Sequence, residues 1–226
     1  MPVVTLALTA ALLLTDLVAR AVVHRHHFGE NPLRWPAGAF HWCVGVIRGG
    51  AILVTGVAAP LAELVGPRLA AELSGLNPVP ELVGFHSLAE LAALHPVPAL
   101  DEPALQIAGA ALAGANIVVI FVCQHAMGPS FRLTIDPGEN HPALVTGGPF
   151  GLVRNPVYAA LTTLTAALAL TLPNLLALAG ATAMLIGNEL QVRCIEEPYL
   201  TRIHGTAYQE YAARTGRFLP RLGRLR

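Results

Sequence analysis

One apolar stretch with a single break decides the fold: residues 158–188 read YAALTTLTAALALTLPNLLALAGATAMLIGN. The run is interrupted at Pro173-Asn174 and resumes at Leu175. Proline lacks the main-chain N–H that a continuing helix needs, and the Pro-Asn pair is typical of a turn. We therefore predict two short helices joined by a tight turn rather than one kinked helix.

Three further stretches upstream are long enough to cross a membrane. They cover residues 3–23, 40–65 and 103–123, and a bilayer core of roughly 30 Å needs about 20 apolar residues in a helix. The second contains Arg48 and Glu63, whereas the third carries no charge. The sequence predicts an all-α, polytopic membrane protein with about five transmembrane helices.

The composition agrees with a membrane protein. Of the 226 residues 54% are hydrophobic and only 12% are charged, and the mean hydropathy is +0.57. Fourteen arginines balance fourteen acids, so no basic field exists to hold nucleic acid, and we expect no nucleic-acid partner. The three cysteines are far apart in apolar sequence, which fits neither a disulfide framework nor a zinc site. We expect no metal.

The distribution of arginine predicts the orientation of the chain. Arginines follow the first and third spans and fill the C-terminal tail, whereas the connection 66–102 holds one arginine and five acids. We expect the N-terminus outside and the C-terminus in the cytoplasm. The expected location is a bacterial inner membrane. Residues 82–94 are predicted to form a short surface helix.

The polar residues concentrate in the second half of the chain. We divide the chain into N-terminal membrane helices, residues 1–123, and a catalytic region, residues 124–226. The catalytic region comprises a cytoplasmic cofactor-binding loop, the helical hairpin and a C-terminal interfacial helix. A long polar loop between two membrane helices is typical of a functional segment.

Ionisable residues cluster at the end of the fifth helix. Glu189, Arg193 and Glu197 are four residues apart and are predicted to share one helical face, with Glu196 beside it. This pattern fits either an interfacial ion-pair ladder or a site that needs both signs of charge. In the second case Arg193 and Arg154 are candidate clamps for a carboxylate or phosphate. Asn155-Pro156 fits an ordinary helix start with asparagine as the cap.

Several linked motifs occur in a fixed order between residues 124 and 220. These are Gly148-Pro149-Phe150-x-x-x-Arg154-Asn155-Pro156-x-Tyr158, Arg193-x-x-Glu196-Glu197-x-x-Leu200, Gly205-x-x-Tyr208-x-x-Tyr211 and Phe218-Leu219-Pro220. Together they resemble the isoprenylcysteine carboxyl methyltransferase family and its phospholipid methyltransferase relatives. The likeness covers under half of the chain.

The resemblance implies an integral-membrane enzyme that uses S-adenosylmethionine to methylate a hydrophobic acceptor, with an isoprenylcysteine-like carboxylate as the expected acceptor. It places Arg193 against the acceptor's carboxylate, and Arg154, Glu196 and Glu197 with Arg193 in the catalytic set. The cofactor contacts that it implies are Ala143, Leu144, Val145, Phe150, Asn155, Pro156, Val157, Tyr158 and Glu197. Asn155 stands where many members have histidine, and asparagine cannot carry a proton between groups.

Three alternatives stay open from the sequence. The first is a methyltransferase acting on nitrogen or oxygen of a phospholipid or another lipid. The second is an NADPH-dependent membrane reductase like the sterol reductases, against which the Glu196-Glu197 pair argues. The third is a non-enzymatic membrane scaffold. The expected partners are a lipophilic small molecule or prenylated substrate and the membrane lipid itself.

Overall fold

The computed structural model describes residues 1–15, 22, 25–26, 38–65, 96–128 and 143–224. These residues form helices and no β-strand, and the prediction of an all-α membrane protein is confirmed. The helices are α1 (Pro2–Leu13), α2 (Ala39–Val65), α3 (Pro103–Met127), α4 (Pro149–Leu152), α5 (Pro156–Thr171), α6 (Leu175–Leu190), α7 (Glu197–His204) and α8 (Thr206–Arg214). Single π-helical turns lie within α2, at Val54–Ala58, and between α6 and α7, at Gln191–Glu196.

Three helical stretches in this part of the chain are long and apolar enough to cross a membrane. They are α2, α3 and the continuous helix Leu175–His204, which runs through α6 and α7. The apolar helices α1 and α5 are shorter, with 12 and 16 residues. The second and third predicted spans are therefore confirmed. The rest of the predicted first span, and the predicted surface helix 82–94, lie outside the described residues.

The hairpin between α5 and α6 forms where the sequence predicts it. Helix α5 ends at Thr171, and Asn174 caps α6 by accepting a hydrogen bond from the main-chain N–H of Ala177 at 2.9 Å. Pro173 lies between the two helices, and its main-chain carbonyl accepts a hydrogen bond from Val97 at 2.7 Å. The short connection forces α5 and α6 to pack as antiparallel neighbours.

Helix α5 occupies the centre of the bundle. A buried threonine pair links it to α1, with 2.7 Å between the hydroxyl oxygens of Thr5 and Thr171. Helix α3 instead presents large apolar side chains such as Val118 and Val122 on its surface, as a lipid-facing helix does. The residues of α5 in the main apolar core are Ala160, Leu161, Leu164, Ala167 and Leu168.

Glycines allow the helices to approach closely at particular points. A Cβ atom on Gly180 would lie 2.1 Å from the Thr55 hydroxyl oxygen, and one on Gly109 would lie 2.7 Å from the Ala167 carbonyl. Gly45 and Gly49, by contrast, have no described atom within 4 Å of their Cβ positions. Their G-x-x-x-G spacing is therefore not a helix contact within the described part of the chain.

The division proposed from sequence, between residues 123 and 124, falls inside α3. That helix continues to Met127, where Gly128 follows with a φ of +52°. The polar segment that the sequence places after this point is described from residue 143 onward.

Candidate active site

The start of α5, the end of α6 and the chain after α8 meet at one end of the bundle. The main-chain N–H groups of Arg154 and Asn155 donate to the carbonyls of Gly216, at 2.8 Å, and Arg217, at 3.1 Å. Val153 and Gly216 form an isolated parallel bridge. A Cβ on Gly216 would lie 2.0 Å from the Leu219 carbonyl, so the tight turn that follows Gly216 requires glycine. The C-terminal segment is thereby fixed against the Arg-Asn-Pro motif.

A buried ion-pair cluster holds this junction together. The Arg154 side chain is 1% exposed, and its Nη2 lies 2.6 Å from Oε1 of Glu197. The same guanidinium donates to the carbonyls of Ala212, Thr215 and Gly223. Arg154 was predicted to be a clamp for an anion. In this structure its partners are Glu197 and the main chain of the C-terminal segment.

Arg217 completes the cluster from the other side of Glu197. Its Nε donates to Oε1 at 2.9 Å, and its Nη2 donates to Oε2 at 2.8 Å. These hydrogen bonds raise the pKa of Arg217 above its ordinary value. Both oxygens of Glu197 therefore accept hydrogen bonds from arginine. The sequence alone did not single out Arg217, because nothing in the order of the motifs indicates which tail arginine pairs with Glu197.

The neighbouring carboxylate, Glu196, has a different environment. Its Oε1 accepts a hydrogen bond from the Tyr158 hydroxyl at 2.5 Å and one from Nε2 of Gln191 at 3.3 Å. Within the described chain its Oε2 accepts no hydrogen bond, and the side chain is only partly buried. Glu196 is thus the carboxylate of the pair that retains a free oxygen.

A second polar group lies deeper in the bundle, beside Tyr158. Arg48 of α2 places its Cζ 4.8 Å from the centroid of the Tyr158 ring, and its Nε donates to Oδ1 of Asn188 at 2.8 Å. The Asn188 amide donates in turn to Thr162 Oγ1 at 2.8 Å and to the Tyr158 carbonyl at 3.2 Å. We call these residues the Arg48 group. Sequence reasoning assigned Arg48 no role, although a lone arginine in an apolar span was the available signal.

The segment before α4 packs against α8. Leu144 contacts the buried pair Tyr208 and Tyr211, and the Tyr211 hydroxyl donates to the Phe150 carbonyl at 2.6 Å. Burial raises the pKa of each tyrosine to about 12. The two tyrosines therefore stay protonated near neutral pH, and the Tyr211 hydroxyl keeps its hydrogen bond.

Arg193 and Glu197, which the four-residue spacing predicts to lie on one helical face, point in different directions in the structure. Arg193 is 58% exposed and pairs with Glu189, whereas Glu197 turns inward to Arg154. The predicted common face therefore holds for Glu189 and Arg193, which form an ion pair, and is wrong for Glu197. The π turn Gln191–Glu196 interrupts the 3.6-residue period that the prediction assumed. The proposed role of Arg193 toward an acceptor stays a prediction.

The prediction for Asn155 also needs a correction. Asn155 occupies the cap position of α5, but its side chain makes no capping hydrogen bond. Its Nδ2 points instead to the Arg217 carbonyl, at 3.4 Å. The side chain of Asn155 thus hydrogen-bonds to the C-terminal segment instead of capping the helix. Pro156, by contrast, is buried at the first position of the helix, where proline fits best.

Most predicted cofactor contacts gather around this junction. Phe150, Asn155 and Glu197 are buried, while Leu144, Val145, Val157 and Tyr158 are partly buried and Ala143 is exposed. In the part of the chain that the structure describes, the main-chain groups of Leu144 and Val145 have no hydrogen-bond partner. An adenine edge can use such groups, and the free oxygen of Glu196 suits a hydroxyl or a cation. The donor and acceptor set therefore fits S-adenosylmethionine.

The chain is similar to a known protein family. The sequence model of the phospholipid methyltransferase family matches residues 105–207, which is under half of the chain. This region contains α3, the Arg-Asn-Pro motif, the hairpin and the Glu196-Glu197 pair. Neither the curated proteins nor the solved structures gave a match. The family match supports a membrane methyltransferase and leaves the class of acceptor open.

Proposed function

We propose that the protein transfers a methyl group from S-adenosylmethionine to a hydrophobic acceptor, at the end of the bundle where α5 meets α6 and α7. One observation carries the proposal. Two stretches about forty residues apart converge through paired contacts, Arg154 with Glu197 at 2.6 Å and Tyr158 with Glu196 at 2.5 Å. These pairs fall within the region matched by the methyltransferase family.

The residues of this junction have separable tasks. When bound, S-adenosylmethionine supplies an electrophilic methyl group on a positively charged sulfur. Glu196, with one free oxygen, is suited to hold a hydroxyl or cationic group, and the main chain of Leu144 and Val145 is suited to hold an adenine edge. Arg154 and Glu197 act indirectly, because they hold the C-terminal segment against the loop that bears those groups.

The expected acceptor is a carboxylate that is carried by a lipid-soluble chain. A carboxylate is already ionised at pH 7 and needs no proton removed before methylation. The enzyme must then position and desolvate the reacting groups, and good orientation alone is worth about 7–11 kcal/mol. An amine or hydroxyl acceptor would require a proton acceptor, for which Glu196 is the candidate. We also propose that this end of the bundle lies on the cytoplasmic side of a bacterial inner membrane.

The experiment uses the full chain purified in an uncharged maltoside detergent. Calorimetry should give micromolar or tighter binding of S-adenosylhomocysteine, and donor labelled in the methyl group should transfer label to lipids in an extract. Glu196→Gln should weaken binding at least about tenfold, since it removes a hydrogen bond to a charged group. Tyr158→Phe, which removes only the hydroxyl that orients Glu196, should weaken it less.

Glu210→Gln is the matched control, because Glu210 is exposed on α8 and away from the paired carboxylates. It makes the same chemical change and should bind like the unaltered protein. Binding of NADPH in place of S-adenosylhomocysteine would favour a reductase. A folded protein that binds neither compound would favour a scaffold. Either result would overturn the proposal.

A further inference from the structure

Among the described residues, the cation of the Arg48 group has no carboxylate partner. The guanidinium of Arg48 donates through Nε to Asn188 and lies over Tyr158, both of which are neutral. Across the described ranges, its Nη1 and Nη2 have no hydrogen-bond or ion-pair partner. Arg154, Arg193 and Arg217, by contrast, each pair with a carboxylate. Within the described part of the chain, the four N–H groups on Nη1 and Nη2 of Arg48 therefore have no acceptor.

The position of Arg48 along α2 also indicates a functional role. Arg48 is the tenth residue of α2, roughly 13 Å along the helix from Ala39 at 1.5 Å per residue. A charged side chain at such depth is unfavourable, and charged groups inside membrane segments typically mark a functional site. Its stem is also tightly packed, because a Cβ on Gly187 would lie 2.6 Å from Arg48 Cγ. The guanidinium is thus held in place within the bundle.

As far as the described ranges show, the surface beside Arg48 is open. Gly45 lies one helical turn earlier on the same face of α2 and has no side chain to cover the guanidinium. Gly45 is exposed, and no described atom lies within 4 Å of the position that its Cβ would occupy. An acyl or prenyl chain lying along α2 in the bilayer can therefore approach Arg48 from the lipid.

We propose that Arg48 binds the oxyanion of the methyl acceptor, so that the acceptor is an amphipathic lipid with a carboxylate or phosphate group. The proposal rests on the proposed function only for the identity of the ligand as the acceptor. The ring of Tyr158 lies under Arg48, and its hydroxyl contacts Glu196. An anion at Arg48 is thus about one tyrosine side chain away from the proposed cofactor site. The guanidinium of Arg48 can donate two parallel N–H bonds to a carboxylate or to a phosphate, so both anions fit it.

The test measures lipid binding without any turnover. The full chain in uncharged maltoside is titrated with oleate, oleyl phosphate and oleyl alcohol, which share one chain and differ in the head group. The two anions should bind, and Arg48→Gln should weaken them about tenfold or more while leaving oleyl alcohol unchanged. Arg48→Lys should retain part of the anion binding, because it keeps the charge and loses the two-pronged geometry.

Arg202→Gln is the matched control. Arg202 also lies near a tyrosine ring, 5.7 Å from the centroid of Tyr199, but it is exposed on α7. This variant should bind all three lipids as the unaltered protein does. The preference between oleate and oleyl phosphate distinguishes a lipid acid from a phospholipid.

The outcomes separate this inference from the proposed function. If Arg48→Gln and Arg48→Lys both keep binding of S-adenosylhomocysteine and of the anionic lipids, Arg48 is structural and the inference fails, whereas the proposed function stands. If anion binding depends on Arg48 but the protein does not bind S-adenosylhomocysteine, the lipid site stands and methyl transfer fails. If Arg48→Gln does not fold, Arg48→Lys decides. A partial loss of anion binding with unchanged binding of oleyl alcohol supports the inference, and unreduced anion binding overturns it.

Discussion

The ion-pair cluster around Glu197 predicts a large effect of one small substitution. Glu197→Gln keeps the size and shape of the side chain and removes its charge. It leaves Arg154, with a side chain 1% exposed, and Arg217, 12% exposed, without a carboxylate. Three charge-assisted hydrogen bonds, from 2.6 to 2.9 Å, are weakened or lost.

The magnitude follows from burial. Removing one partner of a buried ion pair costs about 3–5 kcal/mol, because the remaining charge is left unpaired in the interior. The effect should fall on the C-terminal segment, which Arg154 ties down through the Ala212 and Gly223 carbonyls. Helix α8 should therefore open on the order of a hundredfold or more often than in the unaltered protein.

Hydrogen–deuterium exchange followed by mass spectrometry measures this opening directly. Amides of α8 should lose protection by about that factor in Glu197→Gln, while amides of α5 in the apolar core, such as those of Leu164 and Leu168, should change little. Glu210→Gln, an exposed carboxylate on α8 itself, should leave exchange unaltered. Equal protection of α8 in Glu197→Gln and in the unaltered protein would refute the claim that this cluster holds the segment.

Two further predictions concern packing and pH. Gly180→Ala should lower stability by about 1–3 kcal/mol in thermal unfolding, because its Cβ would lie 2.1 Å from Thr55, whereas Gly45→Ala should be neutral. For pH, burial raises the pKa of Tyr208 and Tyr211 to about 12, from an ordinary value near 10. The contribution of their burial to stability should be complete below pH 10 and lost as the pH rises to 12. Tyrosinate absorbance and loss of amide protection in α8 should therefore rise together in this range. Ionisation of both tyrosines near pH 10 would contradict the prediction.

The membrane helices and the hairpin were predictable because they depend on local properties. Length and apolarity suffice for α2 and α3, and a proline followed by a capping asparagine suffices for the turn before α6. The glycine contacts were not predictable in the same way. A spacing such as Gly45-x-x-x-Gly49 says which glycines share a face, but not whether another helix lies opposite.

The candidate site was predictable in part. The family resemblance implies one site that includes residues 154–158 and 196–197, and they do converge. The sequence did not predict that Glu197 pairs with two arginines while Glu196 contacts Tyr158 and Gln191. It depends on a π turn that rotates the two carboxylates relative to Arg193, and on Arg217, which reaches the site only because the chain after α8 folds back. The π turn and the position of Arg217 are consequences of tertiary packing, and a regular helical period of 3.6 residues does not predict them.

The charges that remain uncompensated give the site its polarity. Glu197 is matched by two arginines, but Glu196 and Arg48 have only neutral partners among the described residues. They contact the same tyrosine, Arg48 at the face of the ring and Glu196 at the hydroxyl. In a low-dielectric bundle such charges favour ligands of opposite sign. A cation beside Glu196 and an anion beside Arg48 would each be stabilised, which is the arrangement that a positively charged methyl donor and an anionic acceptor require.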